Sequence, residues 1–408
     1  MHSDISRVFK LKLGNAFSFI TRRAAGLLLP ALCFVVACAG YNAAQQPPGM
    51  PEQPDLTIDA ATRTQVIEGV LKNLKEGYVF PEVAKAMEQN IRDRMAKKEY
   101  DEITSAKLFA RTLTEHLQAV SRDKHLRVNY RAAALAAGES LPGSARIVRV
   151  PEGGSSSTGG GSPMRRISRS PGEASGNSGL EKVETLEGNL GYLDFSMFDA
   201  SAEANEKVAA AMNKLADTDA LIIDLRRCRG GAQSTITHLM SYFFDKSIHL
   251  SDAYDRLTGS TNASWSLAEV PGRRYGAKDV YLLTSRFTFS AAEDISYTLK
   301  NLRRATLIGE TTGGGAHPVM GRRINEHFFV MVPFARYISP ITKTNWEGTG
   351  VKPDVEVPAD HALKVAQLMA LKKLAAHKQD AARSAQLKSL VETLQKEVDE
   401  LKRTHSKS

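Results

Sequence analysis

Ala220-Leu221-Ile222-Ile223-Asp224-Leu225-Arg226-Arg227-Cys228-Arg229-Gly230-Gly231 decides the fold. Its first half is a near-continuous apolar run, the pattern of a strand buried on both faces. Its second half is a charged turn ending in a glycine pair, after which Ile236, Leu239 and Phe243 recur at helical spacing. The same plan repeats downstream. Val280-Tyr281-Leu282-Leu283 leads into a turn at Ser290 and a helix from about Ala291 to Leu302, and Ala305 to Gly309 is a further strand. Leu190 to Phe195 supplies one upstream. Strands alternating with helices predict βαβ units and a mostly parallel α/β sheet over residues 180–360.

Upstream the periodicity is helical. Thr57 is the expected N-cap, Ile67, Val70, Leu71, Leu74 and Tyr78 follow at helical spacing, and Pro81 stops that helix. Met87, Ile91 and Met95, then Leu108, Leu113, Leu117 and Val120, continue a small helical domain over 57–124. Leu126 to Tyr130 alternates like a strand and opens a joint over 125–150. Between Pro151 and Gly179, 19 of 29 residues are Gly, Ser or Pro, too few apolar groups to offset the entropy of ordering, so a disordered insert is expected there. Past the sheet, residues 361–408 predict a C-terminal amphipathic helix, with Leu387, Val391, Leu394, Val398 and Leu401 forming a heptad seam. That seam suits either a helix capping its own domain or a coiled coil pairing two copies of the chain.

The first 40 residues read as an export segment: Arg22-Arg23, then an uncharged run to Gly40 shorter than a comfortable membrane span. Val35-Val36-Ala37-Cys38 resembles a bacterial lipobox with Val35 in place of Leu, which makes Cys38 the expected lipid-bearing residue, with plain cleavage near Ala39 and an uncleaved membrane anchor as the alternatives, and 41–56 a flexible tether. The expected location is the periplasm, or a membrane-anchored lipoprotein facing outside the cytoplasm. Of the three cysteines, only Cys228 then remains free, so no disulfide framework is available. The net charge of +9 lies largely in Lys and Arg near the two ends, and no zinc-finger spacing or aromatic–basic stripe accompanies it. Nucleic acid is not an expected partner.

Chemistry concentrates at strand ends. Ser290 would sit where a buried strand meets a helix N-terminus, whose free N–H groups could stabilise an oxyanion; it could equally be an N-cap, with Glu293 completing a capping box. Gly230-Gly231, the Gly309-Glu310-Thr311-Thr312-Gly313-Gly314-Gly315-Ala316-His317 loop, and Trp346-Glu347-Gly348 are further candidate site segments. No His, Cys or carboxylate spacing fits a metal, and neither a metal nor any other cofactor is expected.

Together, Asp224-Leu225-Arg226 with Gly230-Gly231, Ser290-Ala291-Ala292-Glu293 and Gly309-Glu310-Thr311 resemble the tail-specific, or C-terminal processing, serine peptidases, over residues 60–130 and 185–360. Their closest likeness is to the branch of interphotoreceptor retinoid-binding protein and the tricorn core. The resemblance implies a Clp protease/crotonase-like fold and hydrolysis of peptides or protein tails. Relatives with a Ser–Lys dyad carry the Lys 25 residues after the nucleophile, where this chain has Gly315. The tricorn-like branch implies instead His125, within Asp123-Lys124-His125-Leu126, as general base and Glu347 as its orienting carboxylate, with Ser290 as nucleophile. It also implies Gly230, Gly231 and Ala291 as oxyanion donors, beside Cys228 where Asn is common. His125 and Glu347 have bland alternatives as a structural histidine and a loop residue, and His317 is a rival base. The retinoid-binding relatives imply the alternative function, a non-catalytic carrier of retinoid- or fatty-acid-like ligands. About 60 residues separate Tyr130 from Leu190, half of them low-complexity, so a peptide-reading insert of the tail-specific kind does not fit.

Overall fold

The computed structural model describes residues 53–136, 138–139, 141, 178–377 and 380–405. The export segment with Cys38, and nearly all of the 151–179 insert, lie outside the described residues. Helix α1 (Ala60–Gly77) is capped by Asp59, whose side chain accepts the Thr62 N–H at 2.7 Å. The expected cap, Thr57, is instead bridged to Ser105 as extended backbone. Pro81 opens α2 (Pro81–Ala96) at a position where its missing N–H has no partner to lose. Ser105 caps α3 (Ala106–Ser121), which buries Phe109, Ala110, Leu113 and Leu117 and leaves Leu108, expected in the core, 41% exposed. The helix ends at Arg122 in the left-handed region (φ 57°), and the chain turns through Asp123, Lys124 and His125 into β1 (Arg127–Tyr130).

The helices do not close their core alone. β1 pairs antiparallel with residues 328–331, and Phe328, Val330 and Val332 pack among Val66, Leu74, Phe109 and Leu113. Each such side chain contributes roughly 1.5–3 kcal/mol relative to exposure, so the segment carrying Asp123 and His125 is fixed against the later part of the chain.

From Leu180 the sheet units follow: β2 (Leu180–Leu186), β3 (Leu190–Phe195), α4 (Ala202–Lys214), β4 (Ala220–Asp224), α5 (Gln233–Ser241), β5 (His249–Asp255), β6 (Ser260–Trp265), β7 (Asp279–Thr284), α6 (Ala291–Asn301), β8 (Thr306–Gly309), β9 (Val319–Arg323), β10 (Phe328–Pro333), β11 (Ala335–Ile338) and β12 (Val355–Glu356). The main sheet runs β12-β8-β7-β4-β3-β2, parallel throughout except for the β2–β3 pair. Side chains alternate between its faces. Leu193, Ile223, Leu282 and Leu307 meet Val208, Ile236 and Ile295 of the helices on one side. Tyr192, Ile222, Leu283 and Ile308 meet Val365, Ala366 and Leu371 on the other. Two smaller antiparallel sheets, β1-β10-β9 and β11-β5-β6, flank it.

The C-terminal region forms two helices, α7 (Ala362–Ala376) and α8 (Ala381–His405), where the sequence predicts one. α7 lies between the sheet and α8 and is apolar on both sides, so it has no amphipathic stripe to detect. The heptad seam is used within the chain, since Leu387, Leu394 and Val398 are buried in that same core. Among the described residues no helix is long and apolar enough to cross a membrane.

Candidate active site

The turn between β7 and α6 is bonded onto the exit of β4. Thr288 Oγ1 accepts the Ser285 N–H at 2.9 Å and donates to the Leu225 carbonyl at 2.8 Å, Ser285 Oγ donates to the Arg226 carbonyl at 2.6 Å, and the Phe289 N–H reaches the Cys228 carbonyl at 3.1 Å. These bonds hold Ser290 at φ 56°, ψ −122°, a conformation that costs a non-glycine residue about 1–3 kcal/mol and recurs where a side chain is presented for chemistry. Ser290 is also the N-cap of α6, with Glu293 Oε2 accepting its N–H at 2.9 Å. Ser290 thus stands at the strand-to-helix turn and is at the same time the N-cap of α6.

Glu293 does more than cap. Fully buried, it also accepts from Thr312 Oγ1 at 2.5 Å, Gly314 N–H at 2.6 Å and Gly315 N–H at 2.8 Å. Burial pushes its pKa up and the four donors oppose that shift. One carboxylate therefore fixes the Ser290 turn to the Gly-rich loop, a role the sequence reading did not give it beyond the capping box.

Gly230 and Gly231 adopt φ +99° and +135°, and a Cβ at 230 would lie 2.7 Å from Ser290 Cβ and 2.9 Å from the Ala291 nitrogen. Only glycine allows this approach. Among the described residues, the N–H groups of Gly231 and Ala291 have no protein acceptor, while the Gly230 N–H is directed to the Cys228 sulfur. Cys228 beside them is buried, and burial raises its thiol to about 12; it packs as an apolar residue while its carbonyl holds Phe289.

Position 315 explains the missing Lys. A Cβ there would stand 2.3 Å from Phe289 Cζ and 2.6 Å from His125 Cε1, so the rings of Phe289 and His125 fill the space a side chain would need. His125 packs on Phe289 with ring centroids 4.6 Å apart, which brings it beside the residue preceding Ser290. Its backbone N–H donates to Asp123 Oδ1 at 3.0 Å, and its Nδ1 is buried without a partner. Burial lowers its pKa to about 4, against the opposing pull of Asp123.

Glu347 is placed differently from the expectation. It makes no bond to His125. Its Oε2 accepts the Ala316 N–H at 2.5 Å and stands 3.5 Å from His317 Nδ1, while Oε1 is buried without a partner. His317 Nδ1 lies 2.7 Å from Asp123 Oδ2, which also accepts from the Tyr78 hydroxyl at 3.4 Å. Burial first, and then the Asp123 charge, raise Glu347 to about 7. Asp123 was legible only as part of the motif that includes His125. The sequence offers no metal spacing, yet folding brings ligand atoms of Asp123, His317 and Glu347 within 4.8 Å of one another, a set that could hold a cation and that local spacing cannot register.

The descriptions of two family models match this chain: peptidase family S41 over residues 189–357, and the N-terminal domain of peptidase S41 in eukaryotic interphotoreceptor retinoid-binding protein over residues 58–154. The chain thus carries a peptidase family S41 domain and, before it, the N-terminal domain that accompanies it in that family. The resemblance and the mostly parallel α/β fold are both borne out. Carboxyl-terminal-processing peptidase 2, chloroplastic, of Arabidopsis thaliana is 24% identical over 177 residues, or 41% of this chain and 32% of that protein. The S41 chain thus spans about a third of that relative's length. A solved structure from Parabacteroides merdae that carries a peptidase designation superposes with a TM-score of 0.51 over 78% of this chain and 98% of its own, at 16% identity, and shows the shared fold. The photosystem II D1 C-terminal processing protease is similar over 42% of this chain and 43% of its own, with 23% identity and a TM-score of 0.36.

Proposed function

We propose that this S41 chain is a serine peptidase in which Ser290 is the nucleophile, His125 the general base, and the N–H groups of Gly230, Gly231 and Ala291 the oxyanion donors. The observation that carries this reading is the packing at residue 315, where the His125 ring lies against the place a dyad Lys would start from. A chain that kept the nucleophile turn and lost the Lys needs another base, and the imidazole nearest that position comes from the motif before the sheet.

In the proposed reaction Ser290 Oγ bonds to the peptide carbonyl carbon as the π pair moves onto oxygen, and the hydroxyl proton passes to the His125 imidazole. The tetrahedral species collapses, the C–N bond breaks, and the amine leaves with that proton. Water then hydrolyses the acyl-enzyme with the same groups in reversed roles. A depressed pKa keeps His125 neutral and receptive at pH 7, and the Asp123 charge supports the imidazolium that forms. Glu347 acts as a positioning residue, through the Ala316 N–H and His317. The proposed substrates are exported peptides or protein tails, a location supported by Arg22-Arg23, the apolar run to Gly40 and the lipobox-like Val35-Val36-Ala37-Cys38.

A second reading makes His317 the base, favoured by its 2.7 Å contact with Asp123, the carboxylate–imidazole pairing of a triad. Hydrolysis of a peptide library, followed by mass spectrometry, separates the two. The first reading expects activity to vanish in Ser290→Ala, to fall about 10⁴-fold in His125→Ala, and to fall far less in His317→Ala. The reverse order for the two histidines selects the second reading, and wild type that leaves every peptide intact sets both aside.

A further inference from the structure

The loops that frame Ser290 carry an unpaired positive charge. Arg226 and Arg227, on the same loop, are neutralised by Asp224 at 2.5 Å and Asp194 at 2.6 Å. Arg229 and Arg286 are not: among the described residues neither guanidinium has a carboxylate or hydrogen-bond acceptor. Instead both lie on the ring of Phe287, with Cζ 5.2 Å and 4.8 Å from its centroid. Phe287 is 46% exposed, a large apolar side chain at the surface that both cations contact. Arg229 precedes Gly230, which presses on Ser290, and Phe287 stands three residues before Ser290.

The positive field extends around the site. Desolvation, and after it the like charge of Arg229, lower the pKa of Arg127, which follows His125 by two residues. Lys124 donates to the Gly313 carbonyl at 2.5 Å on the opposite lip. The nearby carboxylates are engaged elsewhere. Glu293 is fully buried under four donors, Asp123 is buried against His317, and Glu310 accepts the Arg286 and Ala359 backbone N–H groups. Two guanidiniums rest on one exposed ring without a carboxylate partner, and a carboxylate reaching them would gain charge-assisted, fork-shaped hydrogen bonds.

We propose that Arg229, Arg286 and Phe287 form a carboxylate-binding subsite that selects substrates bearing an acidic residue or a chain-terminal carboxylate beside the bond to be cleaved. The proposal rests on the peptidase reading of Ser290 and names its substrate class. The carboxylate would be held by the two guanidiniums, and the neighbouring side chain of the peptide would cover Phe287.

The 408-residue chain carrying Ser290→Ala is titrated with fluorescent peptides in which each position in turn is Glu or Gln, each made with a free or an amidated C-terminus. Anisotropy should show the carboxylate form binding about tenfold tighter, as a charge-assisted contact gives, with the preference fading as salt rises. A preference that follows Glu over Gln identifies an acidic side chain, and one that follows the free terminus identifies a tail end. Either should be lost when Arg229→Gln and Arg286→Gln are added. Equal binding of all four forms, or a preference that survives both substitutions, overturns the subsite. Fluorophosphonate labelling of the wild-type chain is run in parallel. Labelled Ser290 without carboxylate preference removes the subsite alone, whereas an unlabelled chain removes the peptidase reading as well.

Discussion

Glu347 shows how far a single residue's position depends on folding. In sequence it stands 57 residues after Ser290, the separation that made it a partner for His125. In the fold it faces His317, buried beside Asp123. A carboxylate so placed prefers to be protonated, and the consequence for stability has a definite sign. Its folded pKa of about 7 stands above the ordinary 4.5, so its contribution is fully present below about pH 4.5 and is lost as pH rises through about 7. Glu347→Gln removes that dependence. The unfolding free energy of wild type should therefore fall relative to the variant between pH 5 and 8, by an amount on the order of 2 kcal/mol. A difference that stays constant or runs the other way across that range would show that Glu347 is ionised throughout. The pairing of Asp123 with His317 escaped the sequence reading for the same physical reason. Their partnership joins residues 194 positions apart, and no periodicity or motif spacing encodes a contact of that range.

Among the elements, strands β3, β4 and β7 were legible almost to the residue, because both faces are covered and the runs are nearly continuously apolar. The α7 helix was missed for the corresponding reason in a helix, apolar on two sides. β9 and β11 were missed because they are short and only partly covered, and β10 because its largely buried run lies outside the strand–helix alternation that marked the others. The Gly-rich loop after β8 was recognised as a site segment, but its geometry was not foreseen. Gly315 has open space for no side chain, since the Phe289 and His125 rings would lie 2.3 Å and 2.6 Å from its Cβ. Gly315→Ala must then displace one of those rings. With His125 as the base, kcat/KM on a cleaved peptide should drop about 100-fold, the effect of roughly 1 Å of misplacement. The unfolding free energy should fall by about 1–3 kcal/mol. Unchanged kcat/KM would mean that His125 is free to move without cost and does not act at Ser290.

For the whole molecule, the notable feature is that both ends of the described chain close on the middle. The N-terminal helices complete their core with Phe328, Val330 and Val332, and the C-terminal helices cover the sheet face carrying Tyr192 and Ile222. The sequence suggested a helical domain standing before the sheet, since the pairing of β1 with β10 crosses about 200 residues. The heptad seam presented two options, and the buried Leu387 and Leu394 favour the helix that caps its own domain. Leu387→Ala should accordingly cost about 2–4 kcal/mol in urea unfolding, without a change in sedimentation behaviour. A variant that keeps its stability but sediments as a smaller species would place the seam between copies of the chain.

The central claim, that Ser290 is a nucleophile served by His125, is tested most directly by reacting the chain with a fluorophosphonate and locating the adduct by peptide mass spectrometry. The account predicts an adduct on Ser290 in wild type and in His317→Ala, and none in His125→Ala on the same timescale. An unlabelled wild type, or an adduct that forms in His125→Ala and disappears in His317→Ala, would contradict it.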